Sequence, residues 1–185
     1  MQLKLKNVRI AFCQNLFTAG SINASDKPKF SSTFLIPKDD GQIAVIKKTI
    51  QDVAKEQWGT KSEAILKELV AAGKICLRDG DTKASYDGFE GNMFISSSSV
   101  SAPGVFDKDR TELTQKDGRP YAGCYVNAAL DIWAQDNQFG KRINATLKGV
   151  QFAADGDAFV GSAPATADDF DDISNTGDSD ADDLL

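Results

Sequence analysis

The chain has 185 residues, of which 41% are hydrophobic and 26% charged, proportions that are ordinary for one folded domain. It contains no histidine, which excludes Ser-His-Asp and Cys-His catalysis and histidine-ligated zinc. Its three cysteines are scattered and odd in number, so we expect reduced thiols rather than a disulfide framework. No apolar run is long enough to cross a membrane and the first residues lack a secretory signal, so we expect a cytoplasmic protein.

The net charge of −6 conceals an uneven distribution of charges. Residues 1–154 hold all 21 basic residues against 17 acidic ones, a net charge of +4. Residues 155–185 hold ten aspartates and neither Lys nor Arg. From residue 162 onward the chain is rich in Asp, Ala and Ser and has too few apolar side chains to fold. We therefore predict one domain over residues 1–161 and a disordered acidic tail over residues 162–185.

The amino-terminal part of the chain predicts two strands. Apolar residues alternate over residues 3–12, but the alternation changes phase at Asn7, which predicts a bulge there. Residues 29–36 form a second alternating run, which Pro37 ends. We expect three of the phenylalanines in this part to lie in the core, namely Phe12, Phe30 and Phe34.

A helical region follows. Isoleucines recur at helical spacing from Ile43, and Asp39 or Asp40 is placed to cap this first helix. Thr60 and Glu63 fit a capping box for a second helix, which Gly73 would terminate.

The second half of the chain returns to a β pattern. Residues 92–100 predict a short strand between two loop segments, 73–90 and 102–120. Residues 124–134 and 141–152 form the clearest hairpin, with Phe152 in the core, and a last short strand is expected at 158–160. Five or six strands without βαβ alternation predict a mainly β fold, an OB-like antiparallel barrel with a two-helix insertion.

Cations and aromatic side chains are interleaved on the predicted strands and loops. A cationic groove for phosphates combined with flat rings for bases is what sequence-independent binding of single strands requires. Tyr125 and Trp133 stand opposite the apolar face of the best strand, so they are the leading candidates for stacking on bases. The other ring candidates are Tyr86, Phe89, Phe94 and Tyr121, and the candidate phosphate contacts are Lys4, Lys6, Arg9, Lys29, Arg119, Lys141 and Arg142.

The tail combines acidic residues with an apolar end. Such a segment can insert two leucines into a partner while its carboxylates meet a basic rim, or fold back on the domain's own cationic groove. The candidate partner-binding residues of the tail are Asp178, Asp180, Asp182, Asp183, Leu184 and Leu185.

Residues 121–127 (YAGCYVN) and 147–151 (LKGVQ) resemble a bacteriophage family of single-stranded DNA-binding proteins. The opening strand and the helical insertion after Pro37 fit this family, and the resemblance covers most of residues 1–161. The resemblance implies a protein without catalytic residues that coats single-stranded DNA during phage replication and recombination, and a tail that contacts replication proteins. Many tails of such proteins end in an aromatic residue, whereas this one ends in Leu184-Leu185.

Two other classes of function remain open from the sequence. In the first, the acidic tail mimics DNA and inhibits another protein. In the second, scattered carboxylates meet in space and form a metal-dependent nuclease, although no compact ligand cluster is visible and we expect neither a metal nor a cofactor. An exposed barrel edge would allow two copies to pair as a homodimer.

Overall fold

The computed structural model describes residues 1–21 and 26–159. Within these ranges the chain forms a mainly β structure with one helical insertion, and none of its described helices is long and apolar enough to span a membrane. The elements are β1 (Gln2–Ala11), β2 (Phe30–Pro37), α1 (Gln42–Trp58), α2 (Ser62–Ala71), β3 (Leu77–Asp79), β4 (Asn92–Ser99), β5 (Gly104–Phe106), β6 (Tyr125–Asn137) and β7 (Gly140–Ala154).

Five of the strands close into a barrel. β1 pairs with β2 and β6, β2 pairs with β4, and β6 pairs with β7, all antiparallel. One parallel pair, Ser98 with Thr146, joins β4 to β7 and closes the barrel. This pairing is that of a five-stranded OB barrel, so the expected fold and its two-helix insertion are confirmed. β5 also pairs with β7 in parallel, so the sheet is not purely antiparallel.

The bulge expected in β1 is present at Asn7. The register between β1 and β6 shifts between Leu5 and Val8, and Asn7 has a φ of 51°. Its backbone N–H donates a hydrogen bond to Oδ1 of Asn127 at 2.9 Å, and Asn is one of the few residue types that tolerates this conformation. Because the bulge adds a residue, both Leu5 and Val8 point into the barrel and are buried.

Both faces of β2 are covered. Phe34 and Ile36 lie in the main core inside the barrel, where side chains of α1 such as Ile46 also pack. The alternate residue Leu35 lies in a second buried cluster on the outer face, together with Phe94. A strand buried on both faces loses the simple alternation of apolar and polar residues.

The helix ends follow the sequence only in part. Gly41, rather than Asp39 or Asp40, occupies the N-cap position of α1, although Asp40 Oδ1 accepts a hydrogen bond from the Gln42 backbone N–H at 2.8 Å. The capping box of Thr60 and Glu63 is wrong: a short 3₁₀ turn occupies Gly59–Lys61, and α2 begins at Ser62 without a side-chain cap. Gly73 follows α2 with a φ of 65°, as a helix-ending glycine should.

The structure also corrects expectations about loop segments, core phenylalanines and the last strand. β3 and β5 lie inside segments expected to be loops, and each is only three residues long. Phe12 is not a core residue, because a φ of 49° turns it away from the end of β1 and leaves it 36% exposed. Phe30 is only half-buried, whereas Phe34 and Phe152 are buried as expected. Residues 155–159 form no strand, and both residue 160 and the predicted tail lie outside the described residues.

Candidate nucleic-acid interface

A groove of about 300 Å³, here called the seam groove, follows the line where β4 meets β7. Small polar side chains of Ser96, Ser98 and Thr146 lie on either side of this line and leave the groove open. Four cations line it, and among the described residues that form it there is neither Asp nor Glu. These cations are Lys29, Lys74, Arg78 and Arg142.

The segment after α2 builds one side of the seam groove. The Ile143 backbone N–H donates to the Lys74 carbonyl oxygen at 3.2 Å, and the Ser96 N–H donates to the Cys76 carbonyl oxygen at 3.2 Å. The segment therefore lies between β7 and β4 where these strands diverge. It leaves Lys74 exposed at the rim and leads directly into β3, which carries Arg78.

Arg78 and Arg142 give the groove the electrostatics of an anion site. Arg78 is half-buried, its Nη2 donates to Ser96 Oγ at 3.4 Å, and its buried Nε has no hydrogen-bond partner among the described residues. Burial lowers the pKa of the Arg78 guanidinium, and repulsion from the nearby Arg142 lowers it further against an opposing effect of Cys76. A phosphate group in the groove would supply a counter-charge to both guanidinium groups.

Trp133 provides a flat ring in the seam groove. Its Nε1 donates a hydrogen bond to Thr146 Oγ1 at 3.0 Å, which holds the indole beside β7. The residue is nevertheless 42% exposed, so part of the ring is accessible for stacking.

A set of four rings, here called the aromatic patch, continues from the seam groove beyond Arg78. The Arg78 guanidinium lies 4.8 Å from the centroid of the Phe94 ring. Phe94 contacts Phe89 at 5.2 Å between centroids, and Phe89 contacts Tyr86 at 5.9 Å and Phe12 at 5.5 Å. Tyr86 is 49% exposed and Phe12 36%, whereas Phe89 and Phe94 are 1% exposed each.

The burial of two of these rings corrects an expectation. Phe89 and Phe94 were candidates for stacking on bases, but neither ring face is open to a ligand. They instead support Tyr86 and Phe12, which form the accessible surface of the patch. Lys83 adds a cation at the same place, because its Nζ lies 5.7 Å from the Tyr86 ring centroid and 5.6 Å from that of Phe94.

The structure thus brings several candidates from the sequence onto one continuous surface. Lys29, Arg142 and Trp133 line the seam groove, and Tyr86 lies in the aromatic patch. This surface includes the outer side of β4, the third strand of the barrel, and Lys29, which directly precedes β2, the second strand. In OB folds that part of the barrel carries oligonucleotide sites.

Three other candidates hold the last described segment in place. The Arg9 Nε donates to the Gly123 carbonyl oxygen at 3.0 Å, and its guanidinium lies 4.5 Å from the Phe159 ring centroid. The Tyr121 hydroxyl donates to Asp155 Oδ1 at 2.9 Å. Tyr125 packs beside Arg9, whose guanidinium is 5.7 Å from its ring centroid. Arg9, Tyr121 and Tyr125 are thus engaged with one another or with residues 155–159, and all three stay half-buried, so their contact with DNA stays a prediction.

The remaining basic candidates lie outside the seam groove. Lys4 and Lys6 border a different groove, beside Phe106. Arg119 forms an ion pair with Asp107 and lies beside the Phe152 ring. Lys141 directly precedes Arg142 of the seam groove, but its Nζ pairs with Asp136 Oδ1 at 3.3 Å on the β6–β7 hairpin.

Sequence reasoning did not name four residues of this surface as candidate contacts, namely Lys74, Arg78, Lys83 and Phe12. The run Ile75-Cys76-Leu77 was a usable signal for the strand that carries Arg78, but three residues are too few to show a period. Phe12 was assigned to the core because it continues the alternation of β1, and its left-handed backbone conformation has no signature in that pattern.

The described residues show no metal-binding cluster. Among residues 1–21 and 26–159 there is no group of three His, Cys, Asp or Glu side chains placed to hold one ion.

Burial raises the pKa of Cys76 and Cys124 to about 12, so these thiols stay protonated at neutral pH.

Comparison with known proteins identifies the family of the chain. A family model described as the ssDNA-binding protein of Enterobacter phage Enc34 matches residues 1–184. Protein p50 of Acyrthosiphon pisum secondary endosymbiont phage 1 is 45% identical over 177 residues, which cover 94% of this chain and 95% of p50.

Solved structures agree with the family match. The single-stranded DNA-binding protein of bacteriophage Enc34 in complex with ssDNA superposes with a TM-score of 0.73 at 28% identity, covering 85% of this chain and 88% of that one. A C-terminal truncation of the same phage protein gives a TM-score of 0.71 at 29% identity, with the same coverage of both chains. Since the family model spans almost the whole sequence, the chain belongs to the Enc34 family of phage single-stranded DNA-binding proteins.

Proposed function

We propose that this protein binds single-stranded DNA without sequence preference along the seam groove and the aromatic patch. The observation that carries the proposal is that the cations of the seam groove adjoin the rings of the aromatic patch. Arg78 belongs to the groove and also contacts Phe94 of the patch. Phosphates would lie in the seam groove, and bases would stack on Trp133 at one end and on Tyr86 at the other. The Enc34 relative solved with ssDNA supports the choice of ligand.

The proposal extends to the tail because of the position of Phe159, which precedes it in the chain. Phe159, the last described residue, is buried beside Phe89 and borders the same pocket as Tyr86 and Phe12. Residues 162–185 carry eight aspartates and no cation. A polyanion that begins at the aromatic patch would compete with DNA for the cations of the seam groove, most strongly at low salt.

In the host cell, the protein would coat single strands exposed during phage DNA replication and recombination, in the bacterial cytoplasm. The tail, with Asp178, Asp180, Asp182, Asp183 and the final Leu184-Leu185, would recruit replication or recombination proteins. Phage that encode only residues 1–161 test this part: we expect slower DNA synthesis after infection. An unchanged rate of synthesis would contradict recruitment by the tail.

Titration of a fluorescently labelled dT oligonucleotide at low and moderate salt tests binding directly. The full chain and residues 1–161 would be compared, each with duplex DNA as competitor. We expect preference for single strands, weakening with salt, and tighter binding by the truncated chain at low salt. Absence of binding by both chains would refute the proposal, and equal affinity at low salt would refute competition by the tail.

Pairing of two copies stays a prediction. The described sheet ends in β3 on one side and β5 on the other, and each strand offers only three residues for edge-to-edge pairing. Sedimentation velocity at two protein concentrations measures it.

A further inference from the structure

A second groove lies between the two helices and the barrel. It shares only a few lining residues, among them Arg78, with the seam groove. It has a volume of about 870 Å³ and is here called the helix groove. Its floor is apolar, formed by buried residues such as Ile50, Ile75 and Leu77 and by the half-buried Leu66. At its edge Val70 is 61% exposed, so the apolar lining of the groove continues to the protein surface.

The rim of the helix groove is cationic. Lys47 and Lys67 stand on α1 and α2, and neither forms an ion pair with another described residue. Asp79 is the acidic residue among those that line the groove, and its carboxylate is paired with Lys38 at 2.8 Å. The rim therefore favours an occupant that carries negative charge, and the floor favours one that ends in apolar side chains.

The chain itself ends in a segment of this chemistry. Residues 182–185 place two leucines directly after two aspartates. After Phe159 there are 26 residues, which when extended span about 85–95 Å. A folded unit of this size is roughly 40 Å across, so the tail is long enough to reach any part of its own domain.

We propose that Leu184 and Leu185 dock in the helix groove of the same chain, with the preceding aspartates against Lys47 and Lys67. The docking itself does not depend on the proposed function, but its effect on DNA binding does. Arg78 borders both the helix groove and the seam groove, so a docked tail would place carboxylates next to a cation that DNA needs. Docking of the apolar end would thus hold the polyanion where it competes with DNA.

A labelled peptide in trans tests the docking site. The peptide comprises residues 174–185, and the protein is the full chain carrying L184S/L185S, so that its own tail does not fill the groove. By fluorescence anisotropy at low salt we expect saturable binding, and at least tenfold weaker binding of the same peptide with both leucines changed to serine. Equal binding of the two peptides would overturn the inference.

Two exposed valines provide a matched pair of groove variants. Val70 lies in the helix groove, whereas Val45 is 57% exposed on α1 and is not among the residues that line this groove. We expect Val70→Asp to weaken peptide binding at least tenfold and Val45→Asp, with the same change of charge, to leave it within twofold. Circular dichroism checks that both variants fold. Equal effects of the two substitutions would overturn the inference, as would loss of binding on Arg142→Ala but not on Val70→Asp, which would place the tail's end in the seam groove.

Methyl NMR of the wild-type chain distinguishes docking within one chain from docking between chains. We expect the Val70 and Leu66 methyl resonances to differ between wild type and L184S/L185S by an amount that does not change with protein concentration. Differences that grow with concentration would assign the groove to a second copy's tail and overturn docking within one chain.

An ssDNA titration of L184S/L185S separates this inference from the proposed function. The variant keeps every aspartate, so tighter binding than wild type at low salt would be due to release of the apolar end. An unchanged affinity would overturn the link between the two grooves. Failure of every variant to bind ssDNA would refute the proposed function but leave the peptide result standing.

Discussion

Arg142→Ala gives the most direct measure of the seam groove. Arg142 is exposed, lies among the four groove cations and forms no ion pair with another described residue, so its removal should leave the fold intact. Each phosphate contact on a single strand contributes roughly 0.7 to the slope of log K against log salt. Four contacts predict a slope of about −2.8, and the variant should show about −2.1.

These slopes translate into measurable changes in affinity. Between about 50 and 200 mM salt the parent protein, which carries L184S/L185S, should lose roughly 50-fold in affinity, and the Arg142→Ala variant of it roughly 18-fold. Titration of labelled dT oligonucleotide at five salt concentrations determines both slopes. Both proteins carry L184S/L185S, because a tail that does not dock should contribute less to the salt dependence of DNA binding.

Lys4→Ala is the control, because Lys4 is also an exposed lysine but borders the groove beside Phe106. We expect its slope to equal that of the parent protein. If Arg142→Ala leaves the slope unchanged, or if Lys4→Ala lowers it as much, phosphates do not follow the seam groove and the assignment of the interface is wrong.

Three further predictions follow from the same geometry. Tyr86→Ala and Trp133→Ala should each weaken ssDNA binding by about 1–3 kcal/mol, roughly 5- to 150-fold in Kd, without lowering the urea midpoint; a loss of less than twofold for both would exclude stacking there. Phe94→Ala should lower the free energy of unfolding, measured in urea, by about 3–5 kcal/mol, since the ring is 1% exposed; a decrease of less than about 1 kcal/mol would show that Phe94 is not packed beneath the exposed rings of the aromatic patch. Because burial raises the pKa of Cys76 and Cys124 to about 12, both thiols should react with Ellman's reagent at pH 8 only after denaturation, and rapid reaction of both in the native protein would contradict their burial.

The barrel could be predicted from sequence because its longest strands have regular patterns. In β6 buried residues alternate from Val126 to Ile132, and in β7 they alternate from Ile143 to Leu147, so this hairpin sets much of the inner face of the barrel. The bulge at Asn7 was visible as a phase change in an otherwise regular strand. β3 and β5 were missed because three residues cannot show an alternation, and their strand geometry is imposed by neighbours already in the sheet.

The interface was harder to predict, because residue type does not reveal which polar groups are already occupied. Arg9 and Arg142 are equally good candidates in sequence, yet Arg9 is committed to Gly123 and Phe159, whereas Arg142 lines the groove. The same holds for rings: Tyr86 and Phe89 are three residues apart, but one is exposed and the other buried. Such distinctions depend on contacts between distant segments, which local periodicity does not report.

The closing joint of the barrel is narrow, since one pair, Ser98 with Thr146, is the register contact between β4 and β7. The cations of the seam groove come from both sides of that joint: Arg78 stands on β3 beside β4, and Arg142 stands on β7. A phosphate chain that bridges the two would therefore resist separation of the strands. Ligand occupancy would then be linked to barrel integrity, so that hydrogen exchange along β4 slows, and the melting temperature rises, as the oligonucleotide concentration exceeds its Kd.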